Sequence, residues 1–182
     1  MIFERRKEMS LITKVELNGR ECYKVDGAEL GPWRSNFSGE KNKFGDNSRC
    51  FYLRLDEAQA ADLIDEGVNV KQTNPSPDSG YEPEYYVKVK VKYHDGEQKR
   101  FDPKLYLCGK NGRALLNIDT VGNLDGCRFS DVKLTLSPYT SEVQGKEWTT
   151  LWCQEGFFFP QVTSAWEDEM LDIPTDDGNI PF

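Results

Sequence analysis

From Tyr86 to Lys92 the chain alternates without a break, with Val87, Val89 and Val91 set against Lys88, Lys90 and Lys92. A period of two puts the valines on one face of a strand and the lysines, with Tyr86, on the other. Asp95-Gly96 supplies a turn, and Gln98–Phe101 is expected to begin the return strand of a hairpin. Cys50–Leu55 alternates in the same way, Phe51, Leu53 and Leu55 on one side, Tyr52 and Arg54 on the other. Two short runs, Leu11–Leu17 and Glu21–Val25, flank Asn18-Gly19 and predict a tight hairpin. The segments CRFSDVKLTLSPY and EWTTLWCQEGFFF both alternate and are expected to pair with each other. Leu105–Cys108 reads as a further strand, and RALLNI suits either a helix or a strand.

Helical signals are concentrated in one place. Asp56 followed by Gln59 is a variant capping box, Ala60, Leu63 and Ile64 form an apolar stripe, and Gly67 is a stop. Val68–Lys71 returns to extended chain, and Pro75, Pro77, Gly80 and Pro83 mark a loop. Residues 31–49, GPWRSNFSGEKNKFGDNSRC with its final cysteine at 50, are too rich in Gly, Asn and Ser to be helical. One short helix among many strands predicts a mainly β domain, a small barrel or sandwich.

Composition adds limits to this picture. The 182 residues fit one domain with a tail. Residues 1–10 read as a flexible leader, 11–160 as the folded domain and 161–182 as a disordered tail. No apolar run reaches the ~18 residues of a membrane span, and the charged N-terminal stretch is unlike a signal peptide, so a cytoplasmic location is expected. The cysteines at 22, 50, 108, 127 and 153 are scattered, odd in number and without a CxxC pair. That argues against a disulfide framework or a zinc site, and suggests small buried hydrophobes. The sequence has one histidine, His94, and no GxSxG, HExxH or P-loop motif. No catalytic residue, metal or cofactor is expected, and the chain reads as a non-enzyme.

Net charge is −8, which by itself disfavours a polyanionic partner. The distribution reverses that inference. Residues 161–182 hold six acids and no base, and setting those six aside leaves 25 acids against 23 basic residues. The domain is therefore nearly balanced. Aromatic residues make up 12% of a polar chain, more than a small core needs. Three features combine aromatic rings with cations. Loop 31–49 interleaves Trp33 and Phe37 with Arg34, Lys41, Lys43 and Arg49, and Phe44 also lies there. The strand around 86–92 presents Tyr86, Lys88, Lys90 and Lys92 together, with Tyr52 on the outward face of its own strand. Trp148, Thr150, Trp152 and Gln154 share a face of the last strand. Rings that stack bases beside cations that meet phosphates are the needs of single-strand binding. Each feature alone also fits a solvated sheet face or a loop anchor, so the weight lies in their convergence with a segregated acidic tail.

The tail ends Asp176-Asp177-Gly178-Asn179-Ile180-Pro181-Phe182. Apolar anchors at a chain end, stiffened by Pro181 and preceded by acids, suit docking to a pocket with a basic rim. This ending resembles the C-terminal tip of bacterial single-stranded DNA-binding proteins, although Gly178 and Asn179 separate the acids from Ile180. From Gly31 to about Phe158 the body resembles a phage-encoded family of single-stranded DNA-binding proteins. The resemblance is carried by GPWRSNFSG, CFYLRLDEAQAADLIDEGVNVK, YYVKVKVKY, PKLYL, and DVKLTLSPY followed by VQGKEWTTLWCQEGFFF.

That resemblance implies an oligonucleotide-binding (OB)-like β-barrel, closed or partly open, with extended hairpins. It also implies a role in phage DNA replication or recombination within the host cytoplasm. The expected ligand is single-stranded DNA bound without sequence specificity. The expected partners are replication and recombination proteins held by Asp176, Asp177, Ile180, Pro181 and Phe182. A homo-oligomer is compatible with the sequence, and no membrane partner is expected. The tethered acidic tail is also expected to compete with DNA for the basic groove. A structural virion protein without DNA binding, or an RNA-binding protein of the same fold, are the alternatives.

Overall fold

The computed structural model describes residues 11–31 and 35–161. Among the described residues, nine strands form a single open sheet, with one α-helix at its side. Strands β1 (Leu11–Leu17) and β2 (Arg20–Asp26) make the expected hairpin, turning through Asn18 and Gly19 with φ of 52° and 76°. Both values fall where Asn and Gly are tolerated, which is why this dipeptide sits there. β2 then pairs with β8 (Phe129–Val143), and β8 with β9 (Lys146–Pro160), along a hairpin of two 15-residue strands.

β9 organises the other side of the sheet. Its first half runs parallel to β5 (Tyr85–Lys90), through Leu151 beside Val89 and Trp152 beside Lys90. Its second half runs parallel to β6 (Lys104–Cys108), which pairs with β7 (Arg113–Leu116). β5 is bordered by β3 (Cys50–Leu55) on one edge and by β4 (Val70–Gln72), then β9, on the other. With both edges occupied, β5 has no place for the expected return strand at Gln98–Phe101. That segment is a 3-10 turn, Gly96–Phe101, and the ambiguous RALLNI supplies a strand instead.

The sheet ladder does not close, so of the two forms expected for the barrel, closed or partly open, the closed one is not formed. It curls nevertheless. The segment after β2 reaches β3 through a bridge between Leu30 and Leu53, with Gly31 N–H donating to the Tyr52 carbonyl at 2.8 Å. Helix α1 (Glu57–Asp65) begins with the expected capping box: Gln59 N–H donates to Asp56 Oδ1 at 2.6 Å and Asp56 N–H to Gln59 Oε1 at 3.0 Å. Ala60 and Leu63 are buried, but Ile64 of the expected stripe is exposed, because a nine-residue helix offers the sheet only a narrow line of contact. Just past the helix, Glu66 accepts the Tyr23 hydroxyl and pairs with Lys14 at 3.0 Å, tying the β1–β2 hairpin to α1.

Inside the curl lie Phe51, Leu53, Val87, Val89, Leu105, Leu136, Leu151 and Phe158, each nearly or fully buried. Full burial of such a side chain contributes about 1.5–3 kcal/mol, so the alternation read from the sequence is also what stabilises the sheet. Four of the five cysteines are buried as expected; Cys127 is exposed, and all are free thiols. Among the described residues no helix is long and apolar enough to cross a membrane.

One irregularity decides which aromatic residues face out. The β8–β9 register shifts between Thr135 and Leu136, where Gln154 is the extra residue opposite them. A bulge of this kind reverses the alternation beyond it. Before it, Thr149, Leu151 and Cys153 point inward; after it, Gly156 and Phe158 do. Trp148, Trp152 and Phe157 are thereby left on the outer face. Gly156 is required here, since a Cβ on it would stand 2.7 Å from the Phe158 ring.

Candidate nucleic-acid interface

The outer face of β3, β5 and β9 brings together residues that the sequence presented separately. Tyr52 lies opposite Lys88 and Arg54 opposite Tyr86, so the Tyr52 and Tyr86 rings meet diagonally, edge to face, with centroids 5.6 Å apart. Lys90 is the parallel-strand neighbour of Trp152, and its ammonium lies 5.4 Å from the ring centroid. Trp148 is further along β9, half-buried, with the Lys146 ammonium 4.2 Å from its ring centroid.

Beside Trp152 the face opens into a groove of about 1180 Å³. Its cationic lining is Arg20, Lys92, Arg100 and Lys104, and its aromatic lining includes Trp152, Tyr139 and Phe101. Tyr139 is 62% and Phe101 56% exposed, large exposures for rings in a folded domain. Three carboxylates also line the groove. Asp102 is engaged by the His94 backbone N–H at 2.6 Å and ring Nδ1 at 3.1 Å, and Glu21 lies 3.7 Å from Lys14. Glu155 is the third.

Ion pairing separates the cations into two groups. Lys14 pairs with Glu66 and Glu21, Arg54 with Glu29 and Glu84, and Lys133 with Asp26 and Asp131. The hydrogen bond to Lys133 holds the Asp26 carboxyl below its usual range, and Glu66 and Asp26 raise Lys14 and Lys133 respectively. By contrast, Lys88, Lys90, Lys92, Arg100 and Lys104 form no ion pair with any described residue. These five cations on and beside the aromatic face thus keep no ion-pair partner among the described residues.

Loop 31–49 divides by role. Phe37 is a correction to the expected stacking residues: it is 0% exposed and packs on Phe51 at 5.3 Å and edge-on to Phe158 at 5.7 Å. The loop is drawn inward because the Phe37 and Ser38 N–H groups donate to the two carboxylate oxygens of Asp125, at 2.8 and 3.0 Å. Arg49 is also used internally, donating to the Phe37 carbonyl with its guanidinium 5.6 Å from the Tyr93 ring centroid. The loop tip is different. Asn42 Oδ1 accepts the N–H groups of Phe44 and Asp46, forming a tight turn that leaves Phe44 76% exposed, with the Lys43 ammonium 5.0 Å from its centroid. Lys41 and Lys43 are exposed on this tip. Hydrogen bonds from Ser48 depress the Asp46 carboxyl, and the fields of Lys88 and Lys90 add to the effect.

Trp33 and Arg34 lie outside the described residues, as do Asp176, Asp177, Ile180, Pro181 and Phe182. Sequence reasoning missed Tyr139, Phe101, Arg100, Lys104 and Arg20. Tyr139 had a usable signal, since it follows Thr135 and Ser137 on the polar side of an alternating strand. Among the described residues there is no cluster of three or more His, Cys, Asp or Glu able to hold a metal ion.

An open β-sheet domain with an aromatic, cation-bearing outer face is the class defined by this geometry. Over residues 12–181 the sequence matches the family described as "Putative phage ssDNA-binding domain", and the chain belongs to that family. Among solved structures, it is similar to the single-stranded DNA-binding protein from bacteriophage Enc34. The C-terminally truncated form of that protein is 11% identical with a TM-score of 0.47, covering 78% of this chain and 86% of the other. The same protein in complex with ssDNA is 10% identical with a TM-score of 0.47, covering 87% and 99%. No curated protein matches the sequence.

Proposed function

We propose that this chain binds single-stranded DNA without sequence specificity, along the outer face of β5 and β9 and the adjoining groove. The observation that carries the reading is the gathering of ion-pair-free Lys90, Lys92, Arg100 and Lys104 around Trp152 and Tyr139, with Lys88 opposite Tyr52 on the same sheet face. Rings accept the π-face of any base, and cations meet a backbone common to all sequences, so the chemistry is sequence-tolerant. Membership of the phage family supports the same ligand. Stacked bases of a duplex hide the faces that the rings need, so duplex DNA is the poorer ligand. Trp33, Arg34, Lys41 and Lys43 would extend the contact from the loop.

The acidic tail adds two further parts to this proposal. Its Ile180-Pro181-Phe182 ending docks replication or recombination proteins, and its six acids compete with DNA for the groove until DNA displaces them. Protection of single strands during phage replication or recombination in the host cytoplasm is the role that follows.

The direct test is a tryptophan-fluorescence titration with a single-stranded oligonucleotide at two salt concentrations. Quenching that weakens as salt rises is expected, because phosphate neutralisation releases counterions. Neither quenching nor gel retardation at low salt would overturn the proposal. Preference for an RNA of the same sequence in competition would redirect it. Removal of residues 167–182 should tighten binding at low salt and abolish partner capture.

A further inference from the structure

A second aromatic and cationic cluster lies past the groove, on β6, β7 and β9. Tyr106 and Phe157, register neighbours on parallel strands, are stacked with centroids 5.0 Å apart and planes 9° from parallel. Arg113 on β7 lies over both, its guanidinium carbon 4.5 Å from the Tyr106 centroid and 5.4 Å from that of Phe157. The rings are half-buried and Arg113 is exposed. No described carboxylate pairs with Arg113, so the rings hold the guanidinium in place and its N–H donors keep no acidic partner.

Stacking alone would be a surface contact. The connection to the groove gives it further meaning. A smaller depression of about 210 Å³, lined by Phe157, Lys24 and Lys133, shares Thr135 and Glu155 with the large groove. The recessed surface therefore runs continuously from Trp152 to Phe157, roughly 16 Å along β9 at about 3.3 Å per residue. Within it Lys133 is neutralised by Asp26 at 2.5 Å and Asp131 at 3.6 Å. Glu155 stands midway and repels a phosphate, whereas its register neighbour Lys104 attracts one. A strand crossing here has its backbone on the Lys104 side and its bases toward Glu155. Arg113 is the next cation without an ion pair along that path.

We infer that Tyr106, Phe157 and Arg113 form a second stacking subsite for single-stranded nucleic acid. It takes a base against the guanidinium plane and a phosphate on the guanidinium N–H groups. The subsite rests on the single-strand reading of the groove and extends it: a short strand fills the groove alone, and a longer one reaches Arg113.

The test is anisotropy of the full chain with fluorescein-labelled oligothymidylates of about six and about sixteen nucleotides, within the range of such sites. Arg113→Ala should weaken binding of the longer strand about 5- to 150-fold, the value of one lost stack, and leave the shorter unchanged. Arg113→Lys, which keeps charge but loses the plane, should lie between. Thermal melts show that each variant is folded, and Arg113→Lys carries the test if Arg113→Ala is not. Wild-type affinity of Arg113→Ala at both lengths, or equal weakening at both, overturns the subsite and leaves the groove standing. No binding of either strand by the wild type overturns the single-strand reading itself.

Discussion

Lys90 holds its ammonium 5.4 Å from the centre of the Trp152 ring, across a parallel pairing that joins the lysine strand to the tryptophan strand. Without that pairing the two features would be separate surfaces. With it, a base stacked on Trp152 has a cation already beside it for the adjoining phosphate. Trp152→Ala should therefore cost about 1–3 kcal/mol of single-strand binding, and Trp152→Phe should recover most of it. Lys90→Gln should cost less and lower the slope of log K against log salt by about 0.7. Titrations over a range of salt separate the two effects.

Phe37 gives the opposite expectation. Packed on Phe51 and Phe158 with no exposed surface, it is a core residue carried by a loop. Phe37→Ala should destabilise the domain by about 3–5 kcal/mol. Phe37→Leu, a smaller loss of volume, should lower the denaturation midpoint while leaving DNA affinity of the folded protein intact. Loss of affinity without loss of stability in Phe37→Leu would return Phe37 to the binding surface.

Asp125 holds the same loop from a distant part of the chain by accepting two backbone N–H groups. Asp125→Ala leaves both donors without an acceptor and should cost about 1–3 kcal/mol in chemical denaturation. Asp125→Asn retains one carbonyl oxygen and should recover part of that loss. Hydrogen exchange should speed up at Phe37 and Ser38 in the alanine variant before it does in the β8–β9 ladder.

Gly156 tolerates no side chain, because its Cβ would meet the Phe158 ring at 2.7 Å and Leu105 at 3.2 Å. Gly156→Ala should destabilise by about 1–3 kcal/mol through overpacking. Combining it with Phe158→Leu, which vacates that space, should cost less than the two changes added together, measurable as a double-mutant cycle.

The parts that were legible in the sequence are those set by local rules. Asn18-Gly19, the Asp56–Gln59 box and the valine–lysine alternation each specify their geometry within a few residues, and the structure has all three. The misread turn at Gln98–Phe101 depended on something non-local, the filling of both β5 edges by β3, β4 and β9. Loop aromatics were ambiguous for a related reason. Phe37 and Phe44 stand in similar breaker-rich sequence, yet Asp125, 88 residues on from Phe37, draws one into the core while the Asn42 turn leaves the other in solvent. Arg100 and Lys104 reach the groove from a turn and a strand start, where no periodicity marks a face.

The bulge at Gln154 also determines which kinds of genetic change β9 can absorb. A substitution alters one side chain and leaves the others where they were. Loss of residue 154 would remove the extra residue itself, leaving Cys153 and Glu155 consecutive opposite Leu136 and Thr135 with Phe158 still inward, whereas one residue added between Glu155 and Phe158 would send Phe158 toward solvent. Relatives that keep this architecture can vary or shed the residue at 154, but they cannot gain a single residue between 155 and 158. In the second half of this strand, residue count separates the aromatic face from the core as firmly as residue identity does.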